Sequence, residues 1–401
     1  MRRALSLKGR CHFRRTKSTN LHTTRSVSET FFSTTPTGIT SSSSTTASSS
    51  LFPSGVYPIV VTPFFDNDDK KESIDYDSFA RSIEFFVTSK VCSGITITGV
   101  LGESNRLTDV ERAQLIRVAR DVIRDKNNNS NHRHHKLFHL CVGTSHTGTA
   151  ATVALSQMAF ELGADSVMVA PTKDMMSFSS QPSDDDIFEL YRRVAEESCS
   201  CTKNNFKIVL QDHPSSTGVS MSLELISKIV MEIPAVECIK LESLPTVNRL
   251  ATLANVLQKQ NNNEEEEEDD DDGVKILTGL GALYAGYDLE LGVTSGFMTG
   301  FAFPEILTAM NDYARVGEYH KAHTIYRKYL PLIVLEQQPG GGLAIRKELY
   351  KLRGLIRSSH VRHPGKNISP VLQKTLHQEL ERTFPPGIGI TKPLPVELFQ
   401  V

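Results

Sequence analysis

The sequence lacks any apolar run of about 18 residues, the length that a membrane-spanning helix needs. It also lacks an excess of charge: 44 basic and 46 acidic residues give a formal net charge of −2, which does not indicate a nucleic-acid-binding protein. Apolar residues make up 39% of the 401 positions, enough for the core of one large or two ordinary domains.

Cysteine is scarce and scattered, which argues against a disulfide framework. Cys141 and Cys238 fall in predicted buried strands, so we expect reduced thiols. Cys199 and Cys201 form a C-x-C pair without the second pair that a zinc site would need, so no metal is predicted. The six cysteines are Cys11, Cys92, Cys141, Cys199, Cys201 and Cys238.

Residues 1–52 have the composition of an organelle leader. They are rich in arginine and serine, with no acidic residue before Glu29 and an almost pure serine and threonine run at 41–50. There is no apolar core of the kind that a secretory signal requires. We interpret the segment as a mitochondrial transit peptide; a plastid or cytoplasmic location, with a merely disordered tail, is the alternative.

A strand–helix pattern repeats eight times in residues 53–316. The strands are continuous apolar runs, as expected of parallel strands that are buried on both faces. This pattern predicts the α/β class and a (β/α)8 TIM barrel. A doubly wound open sheet is the alternative, but no glycine-rich dinucleotide fingerprint follows the first strand.

Two polar inserts interrupt the repeat, at 126–136 and 259–273. The first carries His132, His134 and His135, which are more often solvated than metal-bound in such a connection, and the second is a block of like charges. After the repeat, residues 317–385 have three helical periods and predict a C-terminal helical extension, followed by a tail at 386–401.

Lys240 is the only lysine that directly follows one of the apolar strands. In a barrel the active site lies at the carboxyl ends of the strands, so this amine is predicted in the barrel mouth. A desolvated lysine favours the neutral, nucleophilic amine, whose natural use is a Schiff base with a carbonyl group. The alternative is a structural ion pair with Glu242 or Glu103.

Other strand ends supply candidate binding groups. Gly99–Glu103 follows a strand and precedes a helix, and its glycines can turn backbone amides into the mouth as a carboxylate site. An ordinary turn is the alternative. Thr62 and Gly279 occupy corresponding positions after other strands.

Together these features resemble the dihydrodipicolinate synthase / N-acetylneuraminate lyase superfamily of class I Schiff-base lyases. The resemblance extends over about Gly55–Thr383. It implies a homotetramer that binds a small 2-keto acid, with Lys240 as the Schiff-base residue and no cofactor beyond that covalent imine. The matching segments are Val60–Phe64, Gly99–Glu103, Pro214–Gly218 and Ile239–Lys240.

Two departures from the superfamily pattern change the expected chemistry. Val100 and Leu101 replace two threonines, and Gln211 replaces a tyrosine, so a threonine–tyrosine proton relay cannot operate. Glutamine does not titrate and can only position a group. These positions resemble the L-2-keto-3-deoxyarabonate dehydratase branch, as do Leu210–Pro214, Ile276–Gly279, Met298–Phe301, Glu336–Gly340 and Leu343–Lys347.

The branch resemblance implies dehydration of a 2-keto-3-deoxy sugar acid to 2-oxoglutarate semialdehyde. Lys240 and Gln211 would be catalytic; Thr62, Gly279, His213 and the four residues Gly99, Val100, Leu101 and Gly102 would bind substrate. His213 shares the face of Gln211 only if the strand persists, and Pro214 argues for a turn. A pyruvate-releasing aldolase, a dihydrodipicolinate synthase-like enzyme and a non-catalytic keto-acid-binding barrel are the alternatives.

Overall fold

Eight short parallel strands form a sheet that curves round until its two edges meet. The strand order β1-β8-β7-β6-β5-β4-β3-β2 follows the chain, and a bridge from Ile59 to Thr96 joins the two edge strands. This confirms the predicted (β/α)8 barrel. The strands are β1 (Gly55–Pro58), β2 (Gly94–Ile97), β3 (His139–Gly143), β4 (Ser166–Val169), β5 (Ile208–Asp212), β6 (Val236–Leu241), β7 (Lys275–Thr278) and β8 (Gly296–Thr299).

The computed structural model describes residues 52–67, 72–129, 138–173, 181–199, 206–261 and 273–401. Residues 1–51 of the predicted leader lie outside these ranges, as do Cys201, most of both polar inserts and the three histidines of the first insert. All described residues belong to one unit, Ser49–Val401. None of its described helices has the length and apolar character needed to cross a bilayer.

Helices alternate with the strands on the outside of the barrel up to the helix that follows β8, and three more helices come after that one. The helices are α1 (Tyr76–Ser89), α2 (Asp109–Asn129), α3 (Thr149–Glu161), α4 (Asp184–Cys199), α5 (Pro214–Thr217), α6 (Leu223–Glu232), α7 (Thr246–Asn261), α8 (Ala285–Glu290), α9 (Pro304–Arg315), α10 (Tyr319–Glu336), α11 (Gly342–Leu352) and α12 (Pro370–Thr383).

The core has two layers because successive strand residues point to opposite faces. On β6, Ile239 packs outward against the helices, whereas Cys238 belongs to the cluster inside the barrel. On β5, Leu210 points outward and Val209 inward. This alternation places the next inward positions of both strands at the carboxyl end of the barrel. Cys92, Cys141 and Cys238 are free thiols, as expected.

The C-terminal helices are packed against the barrel through buried charged groups. Arg353, after α11, pairs with Glu305 of α9 at 2.5 Å, and both side chains are buried. Beyond α12, Leu394 and Phe399 are also buried, so the segment that the sequence suggested as a tail packs on the protein. The predicted domain boundaries themselves stay a prediction.

The strand and helix ends differ from the sequence expectation at several places. The apolar runs that predict the fifth and sixth strands end at 210 and 239 in the sequence, but β5 continues to Asp212 and β6 to Leu241. Both strands continue into polar residues, because the mouth of a barrel needs polar side chains that project from the strand ends. The apolar run in the sequence therefore ends before the strand does. The sequence pattern predicts a continuous helix over 282–291, whereas the structure has a 3-10 turn, Leu280–Ala282, followed by the shorter α8.

Candidate active site

Lys240 and Gln211 lie side by side in the barrel mouth. They are register partners in the β5–β6 pair, and each is only 4% exposed. Lys240 is two residues after the inward-pointing Cys238, so strand alternation directs the amine into the barrel. The prediction that a lysine would be buried at this position of the mouth is therefore confirmed by the geometry.

Glu242 connects these two side chains. Its Oε2 lies 3.0 Å from Nζ of Lys240 and accepts a 2.7 Å hydrogen bond from Nε2 of Gln211. Its Oε1 accepts a 2.9 Å hydrogen bond from the backbone amide of Leu280. The ion pair that we considered as an alternative is present, and its two members face the same cavity.

The electrostatic environment keeps Glu242 ionised. Burial alone raises the pKa of this carboxyl. Electrostatic interactions with Lys240 and His213, together with the hydrogen bonds from Gln211 and the backbone of Leu280, hold the pKa below its usual value. A carboxylate that is both ionised and fixed by an ion pair and two hydrogen bonds can accept a proton from a neighbouring group without moving.

His213 reaches the same cavity from the turn after β5. The strand ends at Asp212, yet Nδ1 of His213 lies 3.9 Å from Oε2 of Glu242 and 2.6 Å from Oγ of Ser216. Burial lowers the pKa of His213, against the opposing charge of Glu242, so the neutral imidazole is favoured near pH 7. His213 lines the cavity, and its contact with a substrate stays a prediction.

The cavity at this end has a volume of about 120 Å³. Five predicted site residues line it: Lys240, Gln211, His213, Val100 and Leu101. The other four, Thr62, Gly99, Gly102 and Gly279, do not line it.

The turn after β2 has the form that a carboxylate site requires. Val100–Gly102 is a 3-10 turn, and within the described ranges the amides of Val100 and Leu101 donate to no acceptor. Thr62 supports the turn through a 2.7 Å hydrogen bond from its hydroxyl to the carbonyl of Gly102. Glu103 closes the turn with a φ of 57° and pairs with Lys347 of α11.

Gly279 lies against the carboxylate of Glu242. A Cβ at this position would lie 2.2 Å from Oε1 of Glu242, so only glycine leaves room for the carboxylate. Leu280 and Ala282, which follow on the same turn, adopt φ values of 47° and 67°. Non-glycine residues rarely adopt such angles, and the residues that do so concentrate at functional sites.

The sequence reasoning missed part of the cavity. Glu242 was considered only as a structural partner, and Thr299 and Gln337 were not proposed as site residues, yet all three line the cavity. The alternation along β6 could have indicated Glu242, which lies two residues after Lys240. No local signal indicates Gln337, because it comes from the C-terminal extension.

A buried amine and a fixed carboxylate in the mouth of a (β/α)8 barrel define a class of enzymes that act on small carbonyl compounds. The chain belongs to the dihydrodipicolinate synthetase family, whose sequence pattern it matches over residues 52–383. Members of this family are lyases, and they are typically homotetramers that bind small keto acids.

Three individual proteins show what this chain is similar to. The chain is 28% identical to L-2-keto-3-deoxyarabonate dehydratase from Azospirillum brasilense over 316 residues, which cover 79% of this chain and 90% of that enzyme. It is 24% identical to 4-hydroxy-tetrahydrodipicolinate synthase from Methanocaldococcus jannaschii, over 70% and 81% of the two chains. The crystal structure of dihydrodipicolinate synthase from Rhodopseudomonas palustris superposes on this structure with a TM-score of 0.68 at 30% identity. The match covers 82% of this chain and 97% of that chain.

Proposed function

We propose that this protein is a hydro-lyase that dehydrates a 2-keto-3-deoxy sugar acid of the L-2-keto-3-deoxyarabonate type through a Schiff base on Lys240. The observation that carries the proposal is the contact of Glu242 with both Lys240 and Gln211, at 3.0 and 2.7 Å. A non-titrating glutamine stands where the proton relay of a synthase would need a tyrosine, and a carboxylate stands beside the amine.

The first half of the reaction forms the imine. Nζ of Lys240 adds to the C2 carbonyl of the substrate, and loss of water gives a protonated imine that withdraws electrons from C3. The free amides of Val100 and Leu101 hold the substrate carboxylate. Gln211 fixes Glu242 in the orientation in which it meets the reacting carbons.

The second half eliminates water. Glu242 takes a proton from C3 to give an enamine, and then returns that proton to the C4 hydroxyl, which leaves as water. The C3–C4 double bond shifts to C4–C5 by proton transfer, and the resulting enol becomes an aldehyde. Hydrolysis of the imine restores Lys240 and releases 2-oxoglutarate semialdehyde, so the net change is the loss of one water. No bound cofactor is required, and dialysis against a chelator is expected to leave the activity intact.

A product assay tests this proposal against the aldolase alternative. The enzyme is incubated with 2-keto-3-deoxy acids derived from pentonates and hexonates, and semialdehyde and pyruvate are both measured. Semialdehyde is the expected product. Pyruvate as the sole product would instead identify a retro-aldol lyase, which shares the imine but cleaves the C3–C4 bond.

Borohydride trapping tests the imine itself and the non-catalytic alternative. Reduction in the presence of a 2-keto acid is expected to add the mass of the reduced adduct to the peptide that contains Lys240. The peptide with Lys347, a second buried lysine near this end of the barrel, is the internal control. A Lys240→Ala variant that still turns over, or an adduct elsewhere, would refute the mechanism.

We further propose a homotetramer and import into mitochondria, with the plastid or the cytoplasm as the other possible destination. The first rests on the family and the second on the composition of residues 1–52. Light scattering on the purified protein tests the first. A fluorescent protein fused behind residues 1–52 tests the second, and its retention in the cytoplasm would contradict import.

A further inference from the structure

The C-terminal end of α10 is fixed to the barrel by a buried charge pair. Glu336, the last residue of the helix, is fully buried, and its Oε1 accepts a 2.5 Å hydrogen bond from Nε of Arg346. Its Oε2 accepts a 3.1 Å hydrogen bond from the amide of Ala302, in the loop after β8. These contacts set the position of the residue that follows, Gln337, relative to the barrel mouth.

Gln337 reaches the cavity that contains Lys240 by lying over Gly281. A Cβ on Gly281 would be 1.8 Å from Cδ of Gln337, and Gly281 has a φ of 62°. Any other residue at 281 would be strained and would also displace the amide of Gln337. The turn after β7 is therefore shaped around this side chain.

The side-chain amide of Gln337 is available to hydrogen-bond a ligand. Its Nε2 is buried and donates to no acceptor among the described residues. The hydroxyl of Thr299, which also lines the cavity, is buried without a partner in the same part of the chain. Buried polar groups are normally hydrogen-bonded, and leaving one without a partner is destabilising, so an oxygen atom of a ligand would satisfy them.

The charges near this wall indicate what kind of group binds there. The charge of Arg346 is compensated by Glu336, although its Nη1 has no partner among the described residues, and the charge of Lys240 is compensated by Glu242. The amide of Gln337 and the hydroxyl of Thr299 are neutral groups that also lack a partner there. A second carboxylate or a phosphate would need an uncompensated cation. A neutral hydroxyl needs only hydrogen-bond partners.

We propose that Gln337 binds a hydroxyl group on the substrate chain beyond the keto carbon, and so selects hydroxylated 2-keto acids over unsubstituted ones. This inference rests on the proposed function, since it takes Lys240 as the group that holds the keto carbon. It assigns the choice of substrate to the C-terminal extension, whereas the strand ends of the barrel supply the chemistry.

Two ligands of equal length test the inference: 2-keto-3-deoxypentonate and 2-oxopentanoate, which lacks its hydroxyl groups. Initial rates give the KM of the first and the inhibition constant of the second, and calorimetry gives both affinities if the first is not turned over. Each is measured for the wild type, for Gln337→Leu and for Gln338→Leu, an exposed neighbour of the same type that serves as the matched control. The pyruvate adduct on Lys240 is trapped with borohydride in parallel, and thermal unfolding checks that each variant is folded.

Gln337→Leu is expected to weaken binding of the hydroxylated acid about tenfold or more, since sites built for a hydroxyl discriminate strongly. Binding of 2-oxopentanoate and trapping of pyruvate are expected to stay within about twofold of the wild type. Gln337→Glu, which keeps the shape but can no longer donate, is expected to weaken the hydroxylated acid as well. Gln338→Leu is expected to change nothing.

Equal loss of both ligands in Gln337→Leu would indicate a merely structural role and overturn the inference, as would unchanged binding of both. Failure of the wild type to bind the hydroxylated acid better than 2-oxopentanoate would also overturn it. If Gln337→Leu selectively loses the hydroxylated acid but the wild type forms no imine, the proposed function fails and the selection by Gln337 stands.

Discussion

Nζ of Lys240 and Oε2 of Glu242 lie 3.0 Å apart; Lys240 lies within β6, and Glu242 is the first residue after its end. The amine that would form the imine thus lies on a strand, and the carboxylate that would move the protons is fixed beside it by a 2.9 Å hydrogen bond from the amide of Glu242 to the carbonyl of Asp212. Because both side chains are about 5% exposed, water competes little with the transfer of a proton between them or to a bound substrate.

Glu242→Gln should separate imine formation from elimination. We expect the pyruvate adduct on Lys240 to form still, whereas kcat for dehydration falls about a hundred- to ten-thousand-fold, the range for loss of a general acid–base. Glu237→Gln, at the opposite end of β6, is the control and should retain activity. Dehydration within tenfold of the wild type in Glu242→Gln would assign the proton transfers to another group.

Gln211→Leu should move the pH profile in a defined direction. The hydrogen bond from Gln211 stabilises the ionised form of Glu242 and lowers the pKa of that carboxyl. Removal of the bond raises this pKa, so the acid limb of the plot of kcat/KM against pH should shift to higher pH.

The control for this shift is Gln157→Leu on the outer helix α3, whose amide donates to the carbonyl of Glu197 far from the cavity. Its profile should overlie that of the wild type. An acid limb that stays in place in Gln211→Leu would show that it does not report the ionisation of Glu242.

The sequence was sufficient to predict the barrel and the place of Lys240 in it. Buried parallel strands are continuous apolar runs, and the alternation of side chains along β6 is visible from Cys238 onward. It was not sufficient for Glu242, because its face depends on how far β6 continues. The strand ends at Leu241, two residues later than the apolar run indicated.

Gln337 illustrates a second limit. It lies almost a hundred residues after Lys240 in the chain, at the end of a helix whose period indicates only which side is buried. Its position in the mouth depends on the contacts of Glu336 with Ala302 and Arg346. Such contacts between distant segments leave no local pattern in one sequence.

Lys347→Met should reveal how the C-terminal extension supports the turn after β2. The ammonium of Lys347 is fully buried, pairs with Glu103 and lies 4.4 Å from the centre of the Phe64 ring. Its removal leaves the buried Glu103 with Arg106 at 2.6 Å as its remaining side-chain cation. We expect a loss of about 3 kcal/mol in the free energy of unfolding, the lower end of the range for breaking a buried pair.

Urea unfolding measures this loss. Lys351→Met, one turn later on α11 and exposed, is the matched control and should change the free energy of unfolding by less than about 0.5 kcal/mol. A higher KM for the 2-keto acid should accompany the loss in Lys347→Met, because Glu103 closes the turn that carries the amides of Val100 and Leu101. Equal stability of the two variants would contradict the supporting role of the pair.

His139 should make the stability of the protein depend on pH in the acid range. It is 6% exposed, its Nε2 lies 2.9 Å from Oγ of Ser166, and burial lowers the pKa of its imidazole to about 4. In the unfolded chain the imidazole titrates near 6.5, so between these values the unfolded state binds more protons. The contribution of His139 to the free energy of unfolding is therefore fully present above about pH 6.5. It falls as the pH decreases towards 4, by up to about 3 kcal/mol.

The free energy of unfolding, measured between pH 4.5 and 7.5, checks this dependence. His139→Asn should be less stable than the wild type at neutral pH but should lose less on acidification, because no buried imidazole has to stay neutral. His377→Asn, an exposed position on α12, should follow the wild-type curve. Parallel curves for the wild type and His139→Asn would mean that carboxyl groups alone cause the loss of stability in acid.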